Sequence, residues 1–175
     1  LLLLLFPVLI LSVTACGKKE EKKVADNKEK IVLKDDNIGA KTTFKYDKKE
    51  AFADIKESSG GASNEISFTN EDLDVEFQMY YNKMRTASYE DSKTNRSDDK
   101  YYGEYKFGKY EAYAYGDYSS GLYVIIKLDV DDNDMATLLF VSIDRIDSNS
   151  DVVVADVFKD DLKDFFNSIE FEKTK

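Results

Sequence analysis

Apolar and polar residues alternate with a period of two along much of the chain, which is the pattern of half-buried β-strands. The clearest such segment covers residues 75–81, whose apolar face consists of Val75, Phe77, Met79 and Tyr81. In residues 122–128 both faces are apolar as far as Lys127, as is typical of a central strand. Further strands are predicted at residues 42–46, 52–56, 66–69, 109–115 and 138–143, separated by turns at 58–61, 107–109, 115–121 and 130–134.

The spacing of apolar residues changes near the C-terminus and predicts one amphipathic helix. Its apolar positions are Val154, Phe158, Leu162, Phe165 and Ile169, with Phe166 beside them. Ser150 or Asp151 is the expected N-cap. Residues 169–171 should then return as a short strand, and residues 86–94 should form a short polar helix.

Several antiparallel strands followed by a helix predict an α+β fold. We expect mainly antiparallel sheet, with the C-terminal amphipathic helix packed on one face and followed by the short final strand. Residues 108–113 (GKYEAY) and 165–171 (FFNSIEF) resemble parts of PsbP-like domains, which close with a helix and a short strand. This resemblance implies a related fold and no particular activity, since such folds have varied roles.

The first 16 residues carry no charge and are mostly apolar. The apolar run from Leu1 to Val13 contains Pro7 and is shorter than the roughly 20 residues that a spanning helix needs. It fits the apolar core of a signal peptide better, so residues 1–15 are predicted to be a signal. Because no Met precedes Leu1, we expect the natural chain to begin a few residues earlier.

A short motif follows this apolar core directly and reads Val13-Thr14-Ala15-Cys16-Gly17. It resembles the lipobox of bacterial lipoproteins. The resemblance implies that the Cys16 thiol carries a diacylglyceryl group and that cleavage makes Cys16 the first mature residue. Two acyl chains would anchor the protein stably, whereas one gives only marginal binding. An ordinary signal cleaved after Ala15 is the alternative.

The lipidated cysteine and a flexible charged tether are predicted to make up residues 16–30. Lysines and acids replace any apolar pattern there, so the segment lacks the means to form a core. Its lysines either contact anionic lipid headgroups or are simply solvated. The opening CGKKEEKK is similar to tethers of low-GC Gram-positive lipoproteins. We therefore expect a lipid-anchored protein on the extracytoplasmic face of the cell membrane, with residues 31–175 as a single globular domain.

Composition removes several kinds of chemistry. The chain has 175 residues, no His, no Trp, one Cys and a formal net charge of -10. Without His there is no Ser-His-Asp or Cys-His nucleophile system and no two-His metal site. One Cys excludes an intramolecular disulfide, and the acidic excess argues against a nucleic-acid partner. We expect no cofactor and single out no catalytic residue.

The acidic turn 129–134 is the first candidate site. Asp129, Asp131 and Asn133 match the first three ligand positions of an EF-hand calcium loop. The match then fails, because Asp134 replaces the turn glycine and an apolar residue replaces the bidentate Glu. A solvated hairpin turn is the preferred interpretation, with weak calcium binding as the alternative.

A tyrosine-rich segment, residues 101–123, is the second candidate. Its members are Tyr101, Tyr102, Tyr105, Tyr110, Tyr113, Tyr115, Tyr118 and Tyr123. An exposed tyrosine strip would stack on sugars or peptides, because Tyr offers rigid area with a polar tip. The preferred interpretation is that Tyr simply suits half-buried strands. The segment is still the best pointer to a binding surface.

These observations give one leading functional hypothesis and two alternatives. The leading one is a cell-envelope lipoprotein whose soluble domain is a non-enzymatic binding or interaction module for a small ligand or an envelope protein. A carboxylate-dependent hydrolase is the first alternative, but the 35 acidic residues include no pair that the sequence singles out. A structural partner of another envelope protein is the second.

Overall fold

The computed structural model describes residues 28–60, 63–94, 100–117 and 119–174. The strands in these ranges are β1 Lys28–Asp35, β2 Ala40–Asp47, β3 Phe52–Gly60, β4 Ser63–Asn70, β5 Val75–Arg85, β6 Lys100–Phe107, β7 Tyr110–Asp117, β8 Gly121–Val130, β9 Met135–Arg145 and β10 Glu170–Lys173. The helices are α1 Thr86–Thr94, α2 Val154–Asp160 and α3 Lys163–Asn167. The predicted signal and Cys16 lie outside the described residues. None of the three helices is long and apolar enough to span a membrane.

The strands form two sheets. The larger sheet has the order β3-β4-β5-β9-β8-β7-β6, and the smaller has the order β1-β2-β10. The neighbouring strands pair antiparallel in both sheets. The prediction of a mainly antiparallel sheet is therefore confirmed. Hairpins join most neighbours, and only β5–β9 and β2–β10 bring together strands that are distant in sequence.

The main core lies between the larger sheet and a layer formed by the smaller sheet with α2 and α3. Aromatic rings fill much of it. Phe165 of α3 stacks on Phe44 of β2 at 4.7 Å between ring centroids, and Phe68 stacks on Phe77 within the larger sheet at 4.6 Å. Burying one such ring contributes roughly 4–6 kcal/mol of transfer free energy as an upper value.

A second, smaller core lies on the opposite face of the larger sheet, under α1. Tyr89 of α1 is fully buried there against Tyr113, Ile125 and Leu138. The strand β8 contributes to both cores and lies between β7 and β9, which confirms that residues 122–128 form a central strand. The short helix predicted over residues 86–94 is confirmed as α1.

The apolar face predicted for the C-terminal helix is buried, but two short helices carry it instead of one. The N–H groups of Asp161 and Leu162 both bond to the carbonyl of Val157 at 3.0 Å, and the i→i−5 bond of Leu162 ends α2 before α3 begins. The final strand β10 pairs with β2 and therefore extends the smaller sheet.

The predicted N-caps of this region are wrong. Val153 occupies the N-cap position of α2 and forms no side-chain cap. The Ser150 hydroxyl instead accepts a hydrogen bond from the N–H of Val152 at 3.1 Å, and Asp151 is exposed. Extended, β-branched residues up to Val153 delay the start of the helix beyond the polar residues that precede them.

The folded domain begins earlier than predicted. Residues 28–30 were assigned to the tether, but they form the start of β1 and pair with the end of β2. The Tyr46 hydroxyl donates to Glu29 at 3.0 Å, and Lys48 forms an ion pair with Glu29 at 3.4 Å. The lysine-rich sequence hides this strand, because only its inward face is apolar.

Two predicted turns are also shorter than expected. Ser58 and Ser59 continue β3, where they pair with β4, and β7 continues to Asp117, which pairs with Gly121. Backbone pairing with a neighbouring strand outweighs the turn preference of Ser and Gly here. The strand β6 was not predicted, although it carries three of the eight clustered tyrosines.

Buried hydrogen bonds connect the two sheets. The Asp35 carboxylate accepts backbone N–H bonds from Asn37 at 2.8 Å, Ile38 at 3.0 Å and Asn64 at 2.6 Å. Across the core, the Tyr81 hydroxyl lies 3.0 Å from the Leu33 carbonyl and 2.7 Å from the Thr42 hydroxyl. These bonds tie β1 and β2 to β4 and β5, and so fix how the sheets face each other.

Two buried tyrosines allow a matched test of these hydrogen bonds. We expect Tyr81→Phe to lower the free energy of unfolding by about 1–2 kcal/mol, because buried partners lose a donor. Tyr89→Phe should leave stability unchanged or raise it slightly, because the buried Tyr89 hydroxyl has no hydrogen-bond partner among the described residues. Urea denaturation at pH 7 measures both, and equal losses would contradict the assignment.

The Tyr46–Glu29 contact predicts a pH dependence. Burial, the hydrogen bond to Glu29 and the charges of Glu29 and Glu50 raise the pKa of Tyr46 to about 12. Since the folded pKa lies above the unfolded value of about 10, the stabilisation is complete below pH 10 and is lost as the pH rises through 12. Ultraviolet absorbance measures the ionisation of the Tyr46 phenol as the pH rises. In the Glu29→Gln variant we expect the pKa of Tyr46 to be lower than in the wild type but still above the unfolded value of about 10. The Tyr46→Phe variant is the control, because it shows which part of the absorbance change comes from Tyr46. An unchanged Tyr46 pKa in Glu29→Gln would place residues 28–30 outside the fold.

Candidate binding surface

The outward face of the larger sheet is only partly covered by α1. Strands β5, β9, β8 and β7 lie side by side there, and their outward residues form rows across the sheet. One row contains Tyr80, Phe140, Ile125 and Tyr113. The next row contains Gln78, Ser142, Tyr123, Tyr115 and, on β6, Tyr101. Since α1 buries only part of the first row, the remaining rings form a surface.

Stacked rings cross four neighbouring strands in this area. Tyr80 stacks on Phe140 with 5.3 Å between centroids, and Tyr115 stacks on Tyr123 with 5.2 Å. Tyr123 is 46% exposed and Tyr101 is 42% exposed. Cross-strand aromatic pairs stabilise a sheet by about 0.5–1.5 kcal/mol, so the rings hold each other in place. We call Tyr80, Phe140, Tyr115, Tyr123 and Tyr101 the aromatic face.

The tyrosine-rich segment 101–123 divides between core and surface. Tyr110, Tyr113 and Tyr115 are buried, Tyr102 and Tyr105 are half-buried, and Tyr101 and Tyr123 are exposed. Tyr118 lies outside the described residues. The preferred interpretation, that Tyr suits half-buried strands, is confirmed for most of the described members. The exposed pair belongs to a surface that also includes rings from three other strands, β5, β7 and β9.

Polar groups stand directly beside the exposed rings. The Ser142 hydroxyl, next to Tyr123 in its row, donates to the Asp144 carboxylate at 2.5 Å. Asp144 extends over Gly121, where an added Cβ would collide with its Oδ1 atom. A glycine at position 121 therefore leaves room for this carboxylate beside Tyr123. Hydroxyl, carboxylate and the Gln78 amide together give the surface hydrogen-bonding groups that can orient a ligand.

The charges around the aromatic face are mainly acidic, although Lys56 on β3 continues the row that contains Gln78. Burial raises the pKa of Tyr80, and the neighbouring Tyr123 and Glu65 raise it further. The backbone N–H and hydroxyl of Ser119 donate to Asp117 at 2.9 and 2.8 Å and hold the pKa of this carboxyl at about 2. The tyrosine therefore stays neutral at physiological pH while the carboxylate stays charged. A polyanion such as nucleic acid would meet repulsion at this surface.

The acidic turn 129–134 serves as a hairpin turn between β8 and β9. The Asp131 carboxylate accepts backbone N–H bonds from Asn133 at 2.9 Å and Met135 at 3.1 Å, and Asp134 has a φ of 59°. Asp129 forms an ion pair with Lys173 at 2.7 Å. Within the described ranges, no group of three or more acidic or Cys side chains is placed to hold a metal ion. The Asp131 carboxylate therefore stabilises the turn, and the Asp129 carboxylate binds Lys173.

The hydrolase alternative requires two carboxylates in a cleft. In the described part of the chain, Asp35 is the only fully buried acid, and its oxygens accept the backbone bonds that connect the sheets. Asp35 therefore stabilises the packing of the two sheets through these bonds. The geometry offers no second buried acid among these residues to accompany it.

Two members of the aromatic face, Tyr80 and Phe140, were missed by the sequence analysis. A signal was present for Tyr80, because it interrupts the polar side of β5 between Gln78 and Asn82. For Phe140 there was none, because the run 138–143 is apolar on both faces. Their pairing depends on the β5–β9 contact, which local periodicity does not specify.

No family model, curated protein or solved structure matches the chain.

Proposed function

We propose that this protein is a lipid-anchored lipoprotein of the bacterial cell envelope whose domain is a non-enzymatic binding module. The lipobox-like sequence ending at Cys16 and the short apolar run before it support the anchor. With the anchor at Cys16, the domain is held at the extracytoplasmic face of the cell membrane. The absence of His and of any glycine-rich catalytic motif supports a binding role.

The observation that carries the binding role is the aromatic face. Tyr123 and Tyr101 keep nearly half of their surface in solvent, although the same sheet buries Tyr113 completely. Rings held by stacking lose little conformational entropy when a ligand contacts them, which makes Tyr an effective contact residue. The adjacent Gln78 amide and Asp144 carboxylate are hydrogen-bonding groups that can orient a ligand on this surface.

The ligand is a small molecule or an exposed part of another envelope protein. An uncharged or cationic ligand suits the acidic surroundings, since the quadrupole of aromatic rings attracts cations. A structural partner that covers the same surface is the second candidate, and the exposed aromatic rings favour it equally. The PsbP-like resemblance stays a prediction about fold and adds nothing to this proposal.

The anchor is tested with Cys16→Ala in the full-length chain expressed in a bacterial host. We expect the wild-type protein in the membrane fraction with the mass of a diacylglyceryl group, and the variant without that mass in the soluble or secreted fraction. Retention of Cys16→Ala in the membrane fraction at the same mass as the wild type would refute lipid anchoring.

The binding surface is tested with the domain from Lys28 onward on immobilised envelope glycans and peptides. Tyr123→Ala should weaken binding of any ligand found at least tenfold, because the exposed ring is lost while its buried neighbours remain. Ile146→Ala is the matched control, since Ile146 is 44% exposed but lies outside the aromatic face. Binding that survives both Tyr123→Ala and Tyr101→Ala would show that this surface is not the site.

A further inference from the structure

The outward face of the smaller sheet carries the opposite charge from the aromatic face. On β1 and β2 the outward lysines are Lys28, Lys30, Lys34, Lys41 and Lys45. The outward acids on β2 and β10 are Asp47, Glu170 and Glu172. Asp36, directly after β1, pairs with Lys34 at 3.0 Å, so five lysines against four acids leave this surface with a net charge of +1 in a chain of net charge -10. We call these five lysines the lysine face.

Ion pairs occupy one part of this surface and leave the other part positive. Lys41 pairs with Glu172 at 3.1 Å, and Lys45 pairs with Glu170. Lys28 and Lys30 have no ion pair within 4 Å among the described residues, and both are exposed. Lys28 lies opposite Asp47 across the β1–β2 pair, and the charge of Lys30 helps to lower the pKa of Glu170, so the positive charge at the start of β1 is partly compensated.

The chain enters the domain at this same place. Lys28 is the first residue of β1, and Cys16 lies 12 residues before it in a segment whose four lysines exceed its three acids by one. Even fully extended, 12 residues span at most about 40 Å. A membrane attached at Cys16 is therefore within reach of the lysine face.

The two outward faces lie on opposite sides of the molecule. The smaller sheet turns its apolar side to the main core, and the larger sheet closes that core from the other side. The aromatic face, with Glu65 and Asp144 near it, is on the far side of the larger sheet. An anionic membrane would attract the first face and repel the second.

Building on the proposed lipid anchor, we propose that the lysine face docks on the anionic phospholipid headgroups of the bilayer that holds Cys16, so that the aromatic face points away from the membrane. The partner is a lipid surface, because the face is positive at the point where the lysine-rich segment reaches the domain. A net excess of one charge biases orientation about fivefold, which orients a tethered domain but does not retain a free one. The effect acts only within a Debye length of about 8 Å.

The test uses the mature chain from Cys16, coupled through its single thiol to a maleimide lipid in vesicles. Because the chain has no Trp, single-Trp variants report position directly. Thr43→Trp places the fluorophore on the lysine face, and Gln78→Trp places it beside the aromatic face. Val32→Trp is a second reporter on the lysine face. Energy transfer from Trp to a dansyl-labelled headgroup lipid measures closeness to the bilayer.

On phosphatidylglycerol vesicles we expect transfer from Thr43→Trp to be at least twice that from Gln78→Trp. The difference should disappear on phosphatidylcholine vesicles and in about 1 M salt. Adding Lys28→Glu and Lys30→Glu should abolish it, whereas the matched control Lys56→Glu with Lys109→Glu, which changes the net charge equally, should not.

Equal transfer from both reporters on anionic vesicles would overturn the proposal, as would a preference that survives reversal of Lys28 and Lys30. A preference equally strong on neutral vesicles would also overturn it, because charge would then play no part. Transfer that depends on protein density would indicate contact between copies of the chain in place of lipid. Since the thiol is coupled chemically, these outcomes are independent of whether Cys16 is lipidated in the cell.

Discussion

The ring of Phe165 is the contact on which the architecture depends. It lies 4.7 Å from Phe44 in the smaller sheet, 4.8 Å from Phe52 and 5.9 Å from Phe68 in the larger sheet, measured between centroids. One side chain of α3 thus joins both sheets and the C-terminal helices in a single core. Removing such a ring costs about 3–5 kcal/mol in a packed core. Because this cluster holds the sheets face to face, each sheet has one inward and one outward side.

The functional features follow from that arrangement. The outward side of the larger sheet keeps Tyr101 and Tyr123 in solvent and places acids around them. The outward side of the smaller sheet carries lysines and receives the chain at Lys28. Charge is therefore separated across the thickness of one small domain. A tethered protein with this separation would present one side to an anionic surface and the other to a ligand.

Local pattern was sufficient wherever a strand had one clear apolar face or a turn had its own chemistry. The alternation in residues 75–81, the two-faced strand at 122–128 and the Asp131 turn all appear in the structure as predicted. Pattern failed for β1, whose outward lysines conceal the inward Ile31 and Leu33. It also failed at Asp161 and Leu162, whose bonds to the Val157 carbonyl end one helix and divide a segment whose apolar spacing is unbroken. For the candidate surface it identified Tyr123 but not its neighbours Tyr80 and Phe140, because cross-strand proximity joins residues far apart in sequence.

The sequence alone established the sheet-rich class, the positions of most strands, the polar helix at 86–94 and the exclusion of histidine-dependent chemistry. It also carries the expectation of a lipid anchor at Cys16. Only the tertiary structure decided that the described strands form two sheets, which of the described tyrosines are buried and where the outward lysines lie. The physical reason is that a period of two assigns residues to two sides of a strand but does not say which side meets another layer. That choice depends on packing between strands that are distant in the chain, as between Phe44 and Phe165.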